Sequence, residues 1–230
     1  NRLAICLRHA AALGLEVDLQ APDKARALLG KSRHTATNIP AMPWQEVPAF
    51  FQSLNDGSIT HLALRLLILT GVRSAPLRFI REDQIDGKVW TIPGEAMKGR
   101  KGKTTAFRVP LVPEALEIID AARAHERDGY LFPSVRQGVI SDATMSRLME
   151  RLKMPYRPHG FRSSLRDWLA EATDAPHDIA ETMLGHAVGG TVERAYRRTD
   201  FLDQRRKLME RWAKHVTGQG GQIIRLVAEA

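Results

Sequence analysis

The chain has 230 residues with 34 Lys and Arg against 26 Asp and Glu, so it carries a formal net charge of +8 and a pI of about 10.0. Its one cysteine, Cys6, excludes an intramolecular disulfide framework and a thiolate-rich zinc module, and makes a reducing, cytosolic setting the default. No apolar run approaches the roughly 18 residues of a membrane span, whereas the basic balance favours a polyanionic partner.

In chain order, RLAICLRHAAALG and APDKARALLG read as two helices ending at the glycines Gly14 and Gly30, well placed as C-caps. The stretch KSRHTATNIPAM, residues 31–42, is polar, basic and aperiodic, and reads as an interdomain linker. Beyond it, SITHLALRLLILTG has the pattern of a buried helix capped by Ser58 and Gly71. KVWTIP and AFRVPL have the length and β-branched content of strands, with a Gly- and Lys-rich hairpin tip between them. Helices are expected at PEALEIIDAARA, SDATMSRLMERL, PHGFRSSLRDWLAEA, APHDIAETMLG and DFLDQRRKLMERWAKHV. The segment GQGGQIIRLVAEA reads as a glycine linker and a short strand-like tail. A mainly α chain with a small antiparallel β-sheet, an α+β fold, follows from this order. The lack of an initial Met and of a charged-then-apolar leader is read as the mark of an internal fragment, neither secreted nor anchored.

The positive residues gather at structural breaks, in GVRSAP, MKGRKGK, PHGFR and YRR, where a surface for a phosphate backbone would place them. In PHGFRSSLRDWLAEA, Phe161, Leu165, Trp168 and Leu169 form one apolar stripe, and His159 and Arg162 stand three apart on the opposite edge near a helix start. That pair suits an anion or an ordinary exposed polar face. Arg73 lies just past the Gly71 cap, placed either to hold a phosphate through its planar fork or to satisfy the carbonyls of the preceding helix end. Tyr196 stands ten residues after His186 and before two arginines, either as a half-buried aromatic or as a nucleophile. A tyrosine oxygen, with a free pKa of about 10, attacks a phosphate only with help from a base or nearby cations. Two arginines and a histidine supply that field, and a lysine protonates the leaving oxygen.

Four separated blocks, TGVR with Arg73, PHGFR with His159 and Arg162, LGH with His186, and ERAYRRTDFLDQRRKLMERWA with Tyr196, occur in one order between about residues 43 and 217. In these the chain resembles the tyrosine recombinases, specifically the integrases of phages and prophages. The resemblance implies that Arg73 and Arg162 clamp the scissile phosphate and that Tyr196 attacks it to give a 3′-phosphotyrosyl link and a free 5′-hydroxyl. It implies that His159 takes or steers the tyrosine proton and that His186 hydrogen-bonds a non-bridging oxygen. Neither ATP nor metal nor other cofactor is needed, since the 5′-hydroxyl of another strand reverses the step.

Two positions depart from the family pattern. The acidic residue usual three positions after the first arginine is replaced by Pro76. The hairpin lysine has three candidates, Lys98, Lys101 and Lys103, of which Lys98, directly after Met97 as in many integrases, is taken as the acid. Arg100, Lys101, Lys103, Arg197, Arg198, Lys31 and Arg33 are expected along the DNA. The implied organisation is a remnant of the helical core-binding domain at 1–30, a linker at 31–42, a catalytic domain at 43–218 and a tail at 219–230. Implied partners are double-stranded attachment sites, a homotetramer on synapsed DNA and accessory DNA-bending or excision factors, with no membrane, in the bacterial cytoplasm beside the nucleoid. The alternatives are a non-catalytic DNA-binding relative and a type IB topoisomerase-like enzyme. A metal-dependent nuclease would need clustered ligands, and the eight histidines are scattered.

Overall fold

The computed structural model describes residues 2–30, 39–97, 104–190, 196 and 199–219. The chain divides into two compact units, Asn1–Asn38 and Ile39–Ala230. The first holds α1 (Arg2–Ala12) and α2 (Ala21–Leu29), and among its described residues only Pro22 is buried within a helix. Gly30 closes α2 with a positive φ, its N–H donating to the Arg26 carbonyl.

The second unit is built round α4 (Ile59–Thr70), in which nine of twelve residues are buried. Its ends form as its sequence dictates: the Ser58 hydroxyl accepts from the His61 N–H, and Gly71 turns the chain through the left-handed region at φ 62°. The other helices are α3 (Val47–Ser53), α5 (Ser74–Arg78), α6 (Pro113–Arg123), α7 (Thr144–Arg151), α8 (Phe161–Glu171), α9 (His177–Met183) and α10 (Leu202–Val216). Of these, α5, α6, α7, α8 and α10 all touch α4. A helix apolar over most of its surface leaves little face for water, so it is the natural centre of such a packing. The indole N–H of the buried Trp212 donates to the Ile68 carbonyl at 2.9 Å, which fixes α10 on α4.

Three antiparallel strands, β1 (Ile85–Asp86), β2 (Val89–Ile92) and β3 (Phe107–Pro110), form a sheet in that order. Trp90 faces Val109, Thr91 faces Arg108 and Ile92 faces Phe107. Buried Trp90 donates its indole N–H to Gln84 at 3.1 Å. The two-residue β1 carries no pattern of its own in the sequence, and α3, short and with Pro48 in its first turn, likewise shows only in its packing.

The helix expected to start at Pro158 begins instead with a 3₁₀ turn, Pro158–Gly160, and becomes α-helical at Phe161. Residues 40–42 pack against this turn. A Cβ at Gly160 would meet the Pro40 carbonyl, while Ser164 donates its hydroxyl to the Met42 carbonyl and Met42 itself is buried.

Gly71 has two reasons to be glycine: its φ, and Leu165 Cδ2, which would stand 2.5 Å from an added Cβ. Gly71→Ala is therefore expected to cost about 2–4 kcal/mol in a denaturant melt, combining left-handed strain with overpacking. Gly57, at φ +69° with open space around it, is the control, and Gly57→Ala should cost about 1 kcal/mol.

Candidate active site

Arg73 extends from the turn that leaves Gly71, as the residue capping α5. It is half-buried beside Val72, and burial lowers its guanidinium pKa below the ordinary arginine value. Its guanidinium makes no hydrogen bond or ion pair among the described residues. The alternative role considered for it, satisfying the end of α4, belongs to a different arginine. Arg162 donates from Nη1 to the Gly71 carbonyl and from Nη2 to the Leu184 carbonyl at 2.6 Å and to His186 Nε2 at 3.0 Å.

Arg162 is only 4% exposed, so the alternative of an ordinary exposed polar face shared with His159 does not hold for it. The second residue of α8 faces inward, among carbonyls freed at two helix ends, and His159 occupies the preceding 3₁₀ turn. Burial, and then the charge of Arg73, lower the Arg162 pKa to about 10, with Glu181 opposing. It therefore stays a cation at neutral pH. The remaining stripe, Phe161, Leu165, Trp168 and Leu169, is buried as its spacing demands.

Two hollows meet at Arg162. One is a narrow cleft lined by Arg73, Pro76, Met97, Phe107, Arg162 and Leu184. No carboxylate among the described residues lines it, and buried Pro76 stands where one is usual in the resemblance, so Arg73 has no counter-ion among the residues described there. The other is a cavity of about 190 Å³ with His159, Arg162, Arg166, Asp167, Glu181 and His186 in its walls. Arg73, Arg162, His159 and His186 are thus gathered about one centre by three separate parts of the chain.

Glu181 and Arg166 went unrecognised in the sequence. Glu181 Oε2 lies 2.7 Å from His186 Nδ1, and Oε1 accepts from Arg166 Nε at 2.7 Å. Burial raises the Glu181 carboxyl, but hydrogen bonds from His186 and Arg166, and the charge of Arg166, hold it below its ordinary value. The only prior signals were spacings: Arg166 four residues after Arg162 on one helix, and Glu181 five before His186 with Gly185 allowing the chain to turn back.

Tyr196 is 80% exposed, which corrects the half-buried alternative. It lines neither hollow, and no contact joins it to the arginines or histidines among the described residues. Arg197 and Arg198 lie outside the described residues, as do Lys98, Arg100, Lys101, Lys103, Lys31, Arg33 and residues 220–230 of the tail. Met97, directly before Lys98, lines the cleft of Arg73 and Arg162.

Four residues beyond Tyr196 the chain is anchored. Asp200 accepts two hydrogen bonds from Arg108 on β3, at 2.7 and 2.9 Å, and a third from Arg205 at 3.2 Å. Arg205, 1% exposed, also donates to the Asp200 and Arg108 carbonyls, and burial lowers its pKa to about 10. Phe201, at φ 56°, then leads into α10. No group of three or more His, Cys, Asp or Glu stands arranged for a metal ion, and no helix is long and apolar enough to cross a membrane, among the described residues.

This architecture is that of tyrosine recombinase catalytic domains. The chain aligns with the lambda integrase tetramer bound to a Holliday junction at a TM-score of 0.56 and 18% identity, covering 82% of this chain and 57% of that one. It aligns with the Tn1549 transposon integrase in complex with circular intermediate DNA at a TM-score of 0.54 and 17% identity, covering 90% and 84%. Residues 41–202 match the phage integrase family, and the chain belongs to that family. It is 30% identical over 228 residues to the integrase of Enterobacteria phage P4, covering 90% of this chain and 51% of the relative. It is 29% identical over 224 residues to the integrase of Shigella phage Sf6, covering 93% and 56%. The chain thus spans about half the length of the curated relatives it matches.

Asp200 gives a test of the anchor. Burial raises its carboxyl, but Arg108 and Arg205 hold it below the ordinary aspartate value. A depressed folded pKa contributes stability that is present above the unfolded value, about 3.9, and is lost as pH falls through the folded one. Asp200→Asn should therefore destabilise the chain by about 1–3 kcal/mol at neutral pH and flatten the loss of stability below about pH 4, read by thermal melts across pH.

Proposed function

We propose that this chain is the strand-cleaving part of an integrase, a site-specific recombinase that breaks and rejoins DNA through a 3′-phosphotyrosyl intermediate to integrate or excise a mobile element. The observation that carries this reading is the pair Arg73 and Arg162, two partly or fully desolvated guanidiniums in one cleft with no carboxylate among its described lining residues, beside His159 and His186. Like charges held together out of water are costly alone and are relieved by an anion. A phosphodiester supplies that anion, and its two non-bridging oxygens match the planar donors of arginine.

In this reading Arg73 and Arg162 neutralise the phosphate, Tyr196 attacks in line, and His159 receives or steers its proton. Lys98 protonates the departing 5′-oxygen, a role supported by the place of Met97 in the cleft. The cation-rich segments at Lys31, Arg33, Arg100, Lys101, Lys103, Arg197 and Arg198 contact the DNA backbone. Residues 1–30 are the end of a core-binding domain, 31–42 a linker, 43–218 the catalytic domain and 219–230 a tail. Attachment-site duplexes, a homotetramer and accessory DNA-bending or excision factors are the partners, in the bacterial cytoplasm. The tetrameric state of lambda integrase on its junction supports the assembly. Exposure of Tyr196 away from the arginines leaves its approach to the DNA-bound state.

A denaturing gel of the chain with nicked duplex bearing its own attachment core tests the class. A covalent adduct is expected, unaffected by EDTA and absent in Tyr196→Phe although that variant still binds DNA. An adduct that survives Tyr196→Phe would sink the assignment. Lys98→Ala should slow cleavage about 10²- to 10⁴-fold on ordinary DNA. On DNA whose bridging 5′-oxygen is sulfur, a thiolate departs without a proton donor, so the Lys98→Ala defect should largely vanish while Arg73→Ala stays slow. Normal cleavage by Lys98→Ala, with the defect and rescue seen in Lys103→Ala, would move the acid to Lys103.

A further inference from the structure

The two nitrogens of His186 face partners of opposite kind. Nε2 meets Arg162 Nη2 at 3.0 Å, and a guanidinium can only donate, so Nε2 carries a lone pair. Nδ1 meets Glu181 Oε2 at 2.7 Å, and an ionised carboxylate can only accept, so Nδ1 carries the proton. With no anion bound, His186 is therefore a neutral ring in its Nδ1–H form. Arg166, bonded to the other oxygen of Glu181, keeps that carboxylate ionised and aimed.

The resemblance to the integrases implies that His186 hydrogen-bonds a non-bridging oxygen, and a phosphodiester in that place would replace Arg162 as the partner of Nε2. Its non-bridging oxygens accept hydrogen bonds and donate none, so Nε2 can face one only if it bears a hydrogen. Moving the proton from Nδ1 to Nε2 would leave the Nδ1 lone pair 2.7 Å from a carboxylate oxygen, acceptor against acceptor. The form that satisfies both sides is the doubly protonated ring. The charged groups about it divide: Arg73, Arg162 and Arg166, with His159 in the same wall, oppose a further positive charge, whereas Glu181, Asp167 and the incoming phosphate favour it.

We propose that Glu181 couples the binding of a DNA phosphate to the uptake of one proton by His186. Glu181 is in this sense a positioning residue, acting on the phosphate through the ring. The proton comes from solvent, joins Nε2, and no bond of the phosphodiester changes in the step. The inference rests on the reading that a DNA phosphate sits at Arg73 and Arg162 with one non-bridging oxygen on His186.

The test uses the chain carrying Tyr196→Phe, which stops at binding, and a mixed-sequence DNA duplex, whose phosphodiesters do not titrate near neutrality. Calorimetry in buffers of different ionisation enthalpy counts protons taken up, and ¹⁵N spectra of His186 report which nitrogens carry hydrogen. The free ring should be protonated at Nδ1 alone and the bound ring at both nitrogens. Adding Glu181→Gln should lower the uptake by about one proton per bound chain. Its amide can rotate to donate to Nδ1, so the bound ring should then be neutral and protonated at Nε2 while binding persists. A bound His186 that stays singly protonated with Glu181 in place, or a proton count unchanged by Glu181→Gln, would overturn the coupling and leave the phosphate reading intact. Binding that Arg73→Ala does not weaken would overturn the phosphate reading and the coupling with it.

Discussion

A guanidinium taken out of water must find acceptors for its N–H groups, and Arg162 finds them at the ends of two helices. Gly71 closes α4 and Leu184 closes α9, and their carbonyls carry the partial negative charge of a helix C-terminus. One cation thereby joins three helices, since Arg162 itself belongs to α8. The geometry about the two hollows depends on this joint. Arg73 is two residues from one of its acceptors and His186 two from the other, so neither can shift without disturbing a buried hydrogen bond. The same atoms serve packing and chemistry.

A second buried arginine organises the junction of β3 and α10 in a similar way. Arg205 of α10 holds the carbonyls of Arg108 and Asp200, and the Asp200 carboxylate closes the arrangement by pairing with both arginines. Its consequence is an order of attachment. The strand that follows the lysine-rich segment and the chain that follows Tyr196 end on one rigid point of the sheet. The two segments proposed to supply the acid and the nucleophile therefore share an anchor, while the arginines and histidines are set by the helical joint.

Charge explains why the centre is open to an anion. Around Glu181, positive and negative groups alternate, and each hydrogen bond has a donor and an acceptor. Around Arg73 they do not among the described residues, because Pro76 brings no carboxylate and the rest of the described cleft lining is largely apolar. The unbalanced charge of the site is thus concentrated on the Arg73 side, next to a guanidinium already committed to the fold. A ligand that binds there completes an arrangement that the protein leaves unfinished.

Much of this was legible in the sequence. The caps of α4, the apolar stripe of α8, the strands β2 and β3 and the four blocks that mark the family are local patterns, fixed by the nearest few residues and by the period of a helix or strand. Local pattern also singled out Arg73, His159, Arg162 and His186. It left Arg162 open between an anion site and an exposed polar face because spacing along one helix cannot say that a neighbouring helix will end against it. It could not assign Glu181 or Arg166, whose meaning lies in an Nδ1–H bond across a turn, nor Asp200 and Arg205, whose partner Arg108 is more than ninety residues away. Sequence determined which residues could carry charge and where the backbone had to turn. Tertiary structure decided which charges were buried and which were left without a partner, because desolvation and hydrogen bonding depend on what surrounds a group in space.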